Sequence, residues 1–396
     1  MKILYHHRTA SRDGQAVHID ELIASLRARG HEVRIVAPAA ADPGSMGGKV
    51  SWVHRLKRHA PKAIYELMEL AYSFVAYRRL MQEAKRFQPD VLYERYNLFL
   101  LAGVALRKRL GLPLLLEVNA PLAHERDQYG GLSLKRLARW AEGKTWRSAD
   151  AVLPVTRVLA THVEAAGAAP AKVHVIPNGI NRQHFRHAKC MADAKRSLGL
   201  DDKLVLGFTG FVRDWHGVDR VLRWMAGPSA PTNTFLLVVG DGPARADLEA
   251  LAVELGLKDR LRFTGVVDRA VVPDHVAAFD IALQPAVVPY ASPLKLMEYL
   301  VLAKAIVAPR EPNLLEVLDD DRNALLFDGR DPGGLAQALS RLCADPALRE
   351  RLGRGAEETI ERLGLTWDGN AARVEALALA CLQSGTAAEP LPSSAR

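Results

Sequence analysis

Residues 2–37 read KILYHHRTASRDGQAVHIDELIASLRARGHEVRIVA, and this stretch indicates how the chain begins to fold. The run Lys2 to Tyr5 predicts a first strand, and a loop at Asp13-Gly14-Gln15 follows it. The next segment predicts a helix ending at Gly30, because its apolar residues recur at helical spacing: Ile19, Leu22, Ile23 and Leu26. The run Glu32 to Ala37 predicts a second strand. A strand, a helix and another strand in this order form a βαβ unit, and therefore a parallel sheet.

The same alternation continues along the chain in two series. The first series has further apolar runs at residues 91–93, 113–118, 151–155 and 173–176. The turn signal Ile176-Pro177-Asn178-Gly179 and a polar, irregular segment at 181–194 follow it. The second series has apolar runs at residues 204–208, 235–239, 261–264, 281–285, 305–308 and 325–327. We therefore predict an α/β fold of two doubly wound, Rossmann-like domains that face a central cleft.

The composition narrows the class of protein. A chain of 396 residues that is 49% hydrophobic and 25% charged can bury large cores, which excludes a disordered protein. No apolar run reaches the roughly 18 residues that cross a bilayer, and the first residues lack the apolar segment of a secretory signal. Cys190, Cys343 and Cys381 are far apart, so we expect buried thiols in a reducing cytoplasm.

The net charge of +8 is unevenly distributed. Residues 1–180 contain 27 Lys and Arg against 16 Asp and Glu, a net charge of +11. Residues 181–396 contain 26 against 29, a net charge of −3. This asymmetry predicts two domains with different partners rather than a nucleic-acid-binding protein. Neither series contains a G-x-G-x-x-G motif, because Pro243 interrupts Gly240-Asp241-Gly242, and this argues against a nicotinamide dehydrogenase.

The segment 290–299, YASPLKLMEY, is the most informative for function. Ser292 is a suitable N-cap and Pro293 suits the first helical position, which leaves free N–H groups at Leu294 and Lys295. Such a helix start attracts phosphate. Glu298 lies one turn further on the same face, where its carboxylate could accept two hydrogen bonds from a ribose diol. The alternative is a capped helix with an ion pair between Lys295 and Glu298.

Three further clusters follow predicted strands, where polar groups face the ligand crevice. Residues 209–217, TGFVRDWHG, combine two glycines with Arg213 and His216, and a guanidinium suits a diphosphate. Residues 13–18 include the Asp13-Gly14 turn, and residues 117–121 begin Glu117-Val118-Asn119. Each of these clusters is also compatible with a purely structural role, as a solvated arginine, a turn or an Asx turn.

In this layout the chain resembles the retaining family 4 glycosyltransferases of the GT-B fold, over nearly its whole length. The resemblance rests on motifs that occur in the expected order: Asp13-Gly14, residues 176–180, 207–217, 239–243 and 263–267, and Pro293 to Leu300. It implies an N-terminal acceptor domain at 1–180 and a C-terminal donor domain at 181–362. It further implies that residues 363–396 contain a helix packing back on the N-terminal domain, and we predict a frayed tail from Gln383 onward.

The resemblance also implies roles for single residues. Glu298 matches the second glutamate of the family's E-x7-E element, which holds the nucleotide ribose. Leu294 and Lys295 match the helix start that meets the diphosphate. Gly265 and Val266, with Val267, match the loop lining the nucleobase. Gly14, with Gln15 beside it, matches the glycine loop that approaches the donor.

Three positions depart from the family pattern. Tyr290 stands where the first glutamate of E-x7-E contacts the donor sugar, so the sugar's identity is in question. The phosphate loop lacks its usual Arg and Lys, and Arg213 and His216 are the available substitutes. Asn119 stands where the family has a histidine in the N-terminal domain, and we expect it at the catalytic centre with Arg213 and Lys295.

The implied reaction is transfer of a sugar from a nucleotide-diphospho-sugar with retention at the anomeric carbon. Arg213, Lys295 and a protonated His216 would stabilise the departing diphosphate, so no obligatory metal or other cofactor is implied. The run Asp319-Asp320-Asp321 could suggest a metal site, but we interpret it as a solvated loop.

The acceptor is indicated only by a basic and aromatic stretch at 52–87. Its first cations, which we assign to an acceptor or membrane face, are Arg55, Lys57, Arg58 and Lys62. Such a stretch could bind an anionic membrane surface at the cytoplasmic face, or form an ordinary pair of surface helices. A lipid-linked or other cell-envelope glycan is the acceptor we expect. The alternatives are a nucleotide-sugar epimerase on the same fold and a catalytically degenerate nucleotide-sugar-binding subunit.

Overall fold

The computed structural model describes residues 1–9, 14–38 and 61–386, and all strands are numbered in chain order. The strands are β1 Lys2–His6, β2 Glu32–Val36, β3 Val91–Arg95, β4 Leu114–Val118, β5 Ala151–Pro154, β6 Leu204–Thr209, β7 Thr234–Val239, β8 Leu261–Phe263, β9 Ile281–Leu283, β10 Ala305–Pro309 and β11 Leu325–Phe327.

The helices that connect them lie between most successive strands. They are α1 Gly14–Ala28, α2 Lys62–Phe87, α3 Ala102–Leu110, α4 Leu122–Glu125, α5 Lys135–Ser148, α6 Arg157–Ala165, α7 Arg182–Phe185, α8 Met191–Leu198, α9 Val218–Met225, α10 Arg245–Glu254, α11 Val272–Ala277, α12 Leu294–Val301, α13 Gly334–Ala344, α14 Pro346–Leu363 and α15 Trp367–Thr386.

Both sheets are parallel and doubly wound, as the sequence predicts. The first has the order β2-β1-β3-β4-β5, and the second has the order β11-β10-β9-β6-β7-β8. The strand order therefore reverses between β1 and β3 in the first sheet and between β6 and β9 in the second. Ligands of such sheets bind at these switch points, beyond the carboxyl ends of the strands.

The second sheet is buried on both faces because successive residues of a strand point to opposite sides. In β7, Leu236 and Val238 pack into one apolar layer, whereas Phe235 and Leu237 pack into the other. Burying each such side chain is worth about 1.5–3 kcal/mol, and this holds the central strands and their carboxyl ends in place.

The chain divides into two compact units. One contains Met1–Pro177 and Asn370–Arg396, and the other contains Asn178–Gly369. The C-terminal helix α15 contacts the first unit through Glu375, which pairs with Arg29 at 2.8 Å. No helix within the described ranges is long and apolar enough to cross a membrane.

Four local predictions are wrong. Residues 173–176 form no regular strand, although an isolated bridge joins Val173 to Val152 and the backbone N–H groups of His174 and Ile176 donate to β5 at 2.9 and 3.0 Å. Helix α1 already begins at Gly14, so Gly14 and Gln15 lie in its first turn rather than in a loop. Helix α15 continues to Thr386, beyond the expected start of a frayed tail at residue 383. Cys190 is exposed because it stands at the N-cap position of α8, and Cys343 and Cys381 are only partly buried.

Candidate active site

The start of helix α12 lies at the carboxyl edge of the second sheet, near the switch point between β6 and β9. The helix begins at Leu294, with Pro293 at its N-cap position, and no side chain caps it. The prediction that Ser292 is the N-cap is wrong, because its hydroxyl accepts a hydrogen bond from the backbone N–H of Asn178 at 3.2 Å. The Asn178 amide also donates to the Ser292 carbonyl at 2.6 Å, which fixes the chain as it enters the helix.

Lys295 lies partly buried in the first turn of α12. Its Nζ is 3.5 Å from the centre of the Phe208 ring, and it also approaches Gly210, which offers no side chain to cover it. Burial lowers the pKa of Lys295 to about 7, and the carboxylate of Glu298 partly opposes this shift. An ammonium group that has lost water in this way gains from the arrival of an anion.

Glu298 lies one turn further along α12 and is held from the end of β6. The Thr209 hydroxyl donates to Glu298 Oε2 at 3.1 Å, and the Thr209 backbone N–H donates to the Tyr299 hydroxyl at 2.9 Å. Burial raises the pKa of Glu298 to about 6, although the Thr209 hydroxyl and Lys295 lower it. At neutral pH the group is therefore mostly a carboxylate that can accept further hydrogen bonds.

His216 is buried in the loop after β6 and packs against Phe208, with 5.2 Å between the ring centres. Its Nδ1 accepts a hydrogen bond from the backbone N–H of Arg213 at 2.9 Å. Burial, together with the charges of Lys295 and Arg213, lowers the pKa of His216 to about 3. His216 is therefore neutral at physiological pH, with its proton on Nε2, and not the protonated group considered from the sequence.

Arg213 itself is exposed, and its guanidinium lies over the Phe211 ring, 5.1 Å from the ring centre. The structure thus brings Lys295, Glu298 and His216 together around Phe208 and Thr209. It places Arg213 at the exposed rim of the same loop, where a long side chain can move toward a ligand.

Two glycines after β7 bring the neighbouring loop against this site. Gly240 has φ +141, and a Cβ there would lie 2.2 Å from the carbonyl oxygen of Gly210. At Gly242 a Cβ would lie 2.1 Å from the carbonyl oxygen of Val212. Only glycine allows two backbones to approach so closely, and the loops after β6 and β7 therefore pack directly against each other.

Two of the remaining donor-site candidates, Gly14 and Gln15, begin α1 in the first unit, and the others lie in the second unit. Gly265, with φ +70, and Val266, which is 88% exposed, follow β8. Tyr290 is buried in the turn that precedes α12, and Leu294 is partly buried at the start of that helix. Asn313 steadies this turn, because its amide donates to the carbonyls of Val288 and Ala291 at 3.2 and 2.7 Å.

In the first unit, Asn119 belongs to a buried polar cluster around Glu117, at the end of β4. The Asn119 amide donates to Glu117 Oε1 at 2.5 Å, and Arg95 pairs with the same oxygen. His18 Nε2 lies 3.0 Å from Glu117 Oε2, and the Tyr93 hydroxyl donates to that oxygen at 2.8 Å. Burial alone would raise the pKa of Glu117, but His18, Arg95 and Asn119 hold it well below its usual range. The Asn119 amide thus donates one of its two N–H groups to Glu117.

The proposed acceptor face is only partly described. Lys62 is the exposed first residue of α2, whereas Arg55, Lys57 and Arg58 lie outside the described residues.

The acidic run before β11 is engaged in ion pairs. Asp319 pairs with Arg362 at 2.9 Å, and Asp320 pairs with Arg310. Asp321 pairs with Arg341 and Arg351 at 3.0 and 3.1 Å. Within residues 1–9, 14–38 and 61–386, no group of three or more His, Cys, Asp or Glu side chains is placed to hold a metal ion.

Comparison with known families identifies both halves of the chain. The model described as Glycosyltransferase Family 4 matches residues 12–184, and the model described as Glycosyl transferases group 1 matches residues 191–359. The chain belongs to the family 4 glycosyltransferases of the GT-B fold. It is therefore an enzyme that transfers glycosyl groups.

Relatives of this glycosyltransferase are named for different activities. It is 28% identical to a D-inositol 3-phosphate glycosyltransferase of Thermomonospora curvata, over 92% of this chain and 90% of that one. It is 35% identical to the lipopolysaccharide core biosynthesis glycosyltransferase LpsD of Rhizobium meliloti, over 46% of this chain and 50% of that one. Among solved structures, Anabaena HepE in complex with UDP and glucose has a TM-score of 0.75 at 17% identity, over 96% of this chain and 100% of that one.

Sequence reasoning missed several residues that shape the glycosyltransferase's site. Thr209 binds both Glu298 and Tyr299, yet it lies about ninety positions away from them in sequence, so no local pattern links the three. Asn313 follows β10 with no motif around it. Glu117 was visible as a charged residue at the end of an apolar strand, and that signal could have identified the cluster around it.

Proposed function

We propose that this glycosyltransferase moves a sugar from a nucleoside-diphosphate sugar to a cell-envelope or lipid-linked glycan, with retention at the anomeric carbon. The observation that carries the proposal is the start of α12, where Lys295 and Glu298 lie one helical turn apart at the switch point of the second sheet. A cation at an uncapped helix start suits a diphosphate, and a carboxylate one turn away suits a ribose diol.

The donor diphosphate would supply the negative charge that this site lacks. Lys295 has a pKa near 7 when no ligand is bound, so an arriving phosphate would raise that pKa and draw a proton to the amine. The Nε2–H of His216 would then donate to a phosphate oxygen as a neutral group, while its Nδ1 stays fixed by the Arg213 backbone.

Transfer requires charge to be stabilised on the departing diphosphate. As the glycosidic bond breaks, negative charge grows on the leaving oxygen and an oxocarbenium-like sugar forms. Lys295, the dipole of α12 and Arg213 would stabilise that charge, so the protein's own cations can serve where other enzymes use a metal. Retention follows if the acceptor hydroxyl attacks the face from which the diphosphate leaves. Its proton would then pass to a diphosphate oxygen.

The acceptor assignment rests on the relatives and on the first unit. One named relative is a D-inositol 3-phosphate glycosyltransferase, and the other is a glycosyltransferase of lipopolysaccharide core biosynthesis. The carboxyl edge of the first sheet offers matching groups, because Asn119 presents an amide oxygen beside the Glu117 cluster. Such an oxygen would accept a hydrogen bond from a sugar hydroxyl.

Glu298→Gln tests the donor site. We expect nucleoside-diphosphate-sugar binding to weaken about tenfold or more, because each hydrogen bond to a charged acceptor is worth about 1.5–3 kcal/mol. A thermal-shift screen with UDP, GDP and ADP sugars would identify the donor, and calorimetry would then give the affinity of both proteins.

Glu357→Gln is the matched control, because Glu357 is exposed on α14 and its change removes the same charge from the same unit. Equal donor affinity in the wild type and in Glu298→Gln would contradict the ribose assignment. Product analysis by NMR with an acceptor present would test retention. A donor sugar converted without any acceptor would point to an epimerase instead.

We further propose that the outer face of α2 binds an anionic membrane surface. Phe74 is 65% exposed and Leu67 is 50% exposed, and both lie on one stripe of the helix with Ile64. Exposed cations lie on or beside the stripe: Arg78, Arg79, Lys85 and Arg86. The acidic residues Glu66 and Glu69 are turned inward and buried. An apolar stripe edged by cations suits an anionic lipid surface.

The double change Leu67→Asp and Phe74→Asp should release the protein from vesicles rich in anionic lipid. Binding by the wild type should weaken at high salt, because the Debye length falls from about 10 Å at 0.1 M to about 3 Å at 1 M. Val253→Asp, at an exposed apolar position of α10, is the control that should leave binding unchanged. Co-sedimentation that is equal with neutral and anionic vesicles would favour a soluble acceptor.

A further inference from the structure

Arg8 lies just beyond the carboxyl end of β1, at the ligand-binding edge of the first sheet. Its guanidinium carbon is 4.7 Å from the centre of the Tyr72 ring, and its side chain is 22% exposed. Its Nη1 is buried and makes no hydrogen bond to any residue within 1–9, 14–38 and 61–386. A buried guanidinium N–H without an acceptor is unfavourable. Burial removes the water that would accept its hydrogen bond, and no protein group accepts that bond in exchange.

The nearest carboxylate to Arg8 is already engaged by a second arginine. Glu69 on α2 receives two hydrogen bonds from Arg126, at 2.5 Å to Oε2 and 3.1 Å to Oε1. Arg8 Nη1 is 3.8 Å from Glu69 Oε1, which is beyond hydrogen-bond distance. Two guanidinium groups therefore share one carboxylate. Arg8, Arg126 and Glu69 together have a net charge of one positive unit.

Other carboxylates at this edge are also occupied. Glu66, one turn before Glu69, accepts hydrogen bonds from the backbone N–H groups of Ser133 and Leu134 at 2.8 and 2.6 Å. Glu117 is engaged by Arg95, His18, Tyr93 and Asn119. Neither of these carboxylates is available to balance Arg8.

We propose that Arg8, assisted by Arg126, binds an anionic oxygen group of the acceptor, with a phosphate ester as the class of ligand. The inference rests on the proposed glycosyl transfer and narrows its acceptor to one that carries such a group. The Arg8 Nη1 would donate to a phosphate oxygen, and charge-assisted hydrogen bonds of this kind are about twice as strong as neutral ones. Glu69 would act as a positioning residue, because it fixes the Arg126 guanidinium without saturating Arg8.

Calorimetric titration with glycerol 3-phosphate tests the site in the wild type and in three variants. Arg8→Gln should weaken binding about tenfold or more, since a charged hydrogen bond is lost. Arg109→Gln, an exposed arginine on α3, is the matched control and should bind like the wild type. Lys295→Gln should keep the Arg8 site while losing any phosphate bound at the start of α12. The thermal unfolding of each variant, measured in parallel, shows that the fold is intact.

A crystal of the wild type soaked in tungstate, a heavy analogue of phosphate, gives evidence that does not depend on any variant. We expect an anomalous peak beside the Arg8 guanidinium. Vesicles containing phosphatidic acid, tested with the Leu67→Asp and Phe74→Asp protein with and without Arg8→Gln, would show whether a lipid-borne phosphate also reaches the site, and binding of either ligand that depends on Arg8 supports the proposal. Phosphate binding that is unchanged in Arg8→Gln, or a tungstate peak only at α12, would overturn it. Nucleotide-sugar affinity should be the same in Arg8→Gln and the wild type, so the donor assignment is tested separately.

Discussion

Lys295→Met should lower kcat about 10²–10³-fold, the loss that commonly follows removal of one preorganised donor to developing charge. The methionine keeps most of the length and apolar surface of the lysine, so contact with Phe208 is preserved while the charge is lost. Lys295 lies partly buried against that ring at an uncapped helix start, and solvent therefore replaces it poorly. The measurement is steady-state kinetics with the identified donor and acceptor.

Lys258→Met is the control for loss of a lysine charge, because Lys258 is exposed in a turn before β8 of the same unit. Its kcat should match that of the wild type. A near-native kcat in Lys295→Met would place the leaving-group site elsewhere.

The pH dependence of kcat/KM gives a second test of the roles proposed for Lys295 and Glu298. In the free enzyme the pKa of Glu298 is about 6 and that of Lys295 is about 7. Below about pH 6 the carboxylate that we propose binds the ribose is protonated, and above about pH 7 the Lys295 ammonium loses its charge, so kcat/KM should fall on both sides. Lys295→Arg should move only the alkaline limb to higher pH, because a guanidinium stays charged there.

The parts of the fold that the sequence predicts well are those with a strong local pattern. The βαβ opening, the run of α12 and the buried strands β6 and β7 all have periodic apolar residues, and each lies within a few residues of its predicted bounds. Residues 173–176 were predicted as a strand because they are apolar. The segment does follow β5, because the backbone N–H groups of His174 and Ile176 donate to the carbonyls of Val152 and Pro154, but the pairing amounts to an isolated bridge rather than a regular strand.

The errors at the site arise from contacts between distant segments. Ser292 has the chemistry of an N-cap, but Asn178 supplies a competing donor from over a hundred residues away. His216 is a plausible cation in sequence, yet burial and two neighbouring positive charges keep it neutral. In the sequence, Glu69 is one acidic residue within a basic stretch. Only the fold shows that its carboxylate accepts a hydrogen bond from Arg126. Local sequence predicts the residue types available, whereas charge state and partners depend on tertiary packing.

Gly240→Ala should have the largest effect on stability. Its φ of +141 lies in a region that only glycine adopts readily, and the added Cβ would meet the Gly210 carbonyl oxygen at 2.2 Å. Backbone strain of about 1–3 kcal/mol and overpacking of about 1–3 kcal/mol together predict a loss of about 2–6 kcal/mol. Because Gly210 would have to move, the loop beside Lys295 should shift as well, and donor affinity should fall in the protein that still folds.

Gly256→Ala separates the effect of backbone strain from the effect of overpacking. Gly256 also has a positive φ, +69, but a Cβ there meets nothing within 4 Å, so only the left-handed backbone is penalised. That substitution should cost about 1–2 kcal/mol in the free energy of unfolding and leave donor affinity unchanged. Scanning calorimetry of the transition that contains the second unit gives the stability of both variants, and donor titration gives the affinity. If Gly240→Ala were no more destabilising than Gly256→Ala, the close approach of the β6 and β7 loops would not be what holds the donor site in shape.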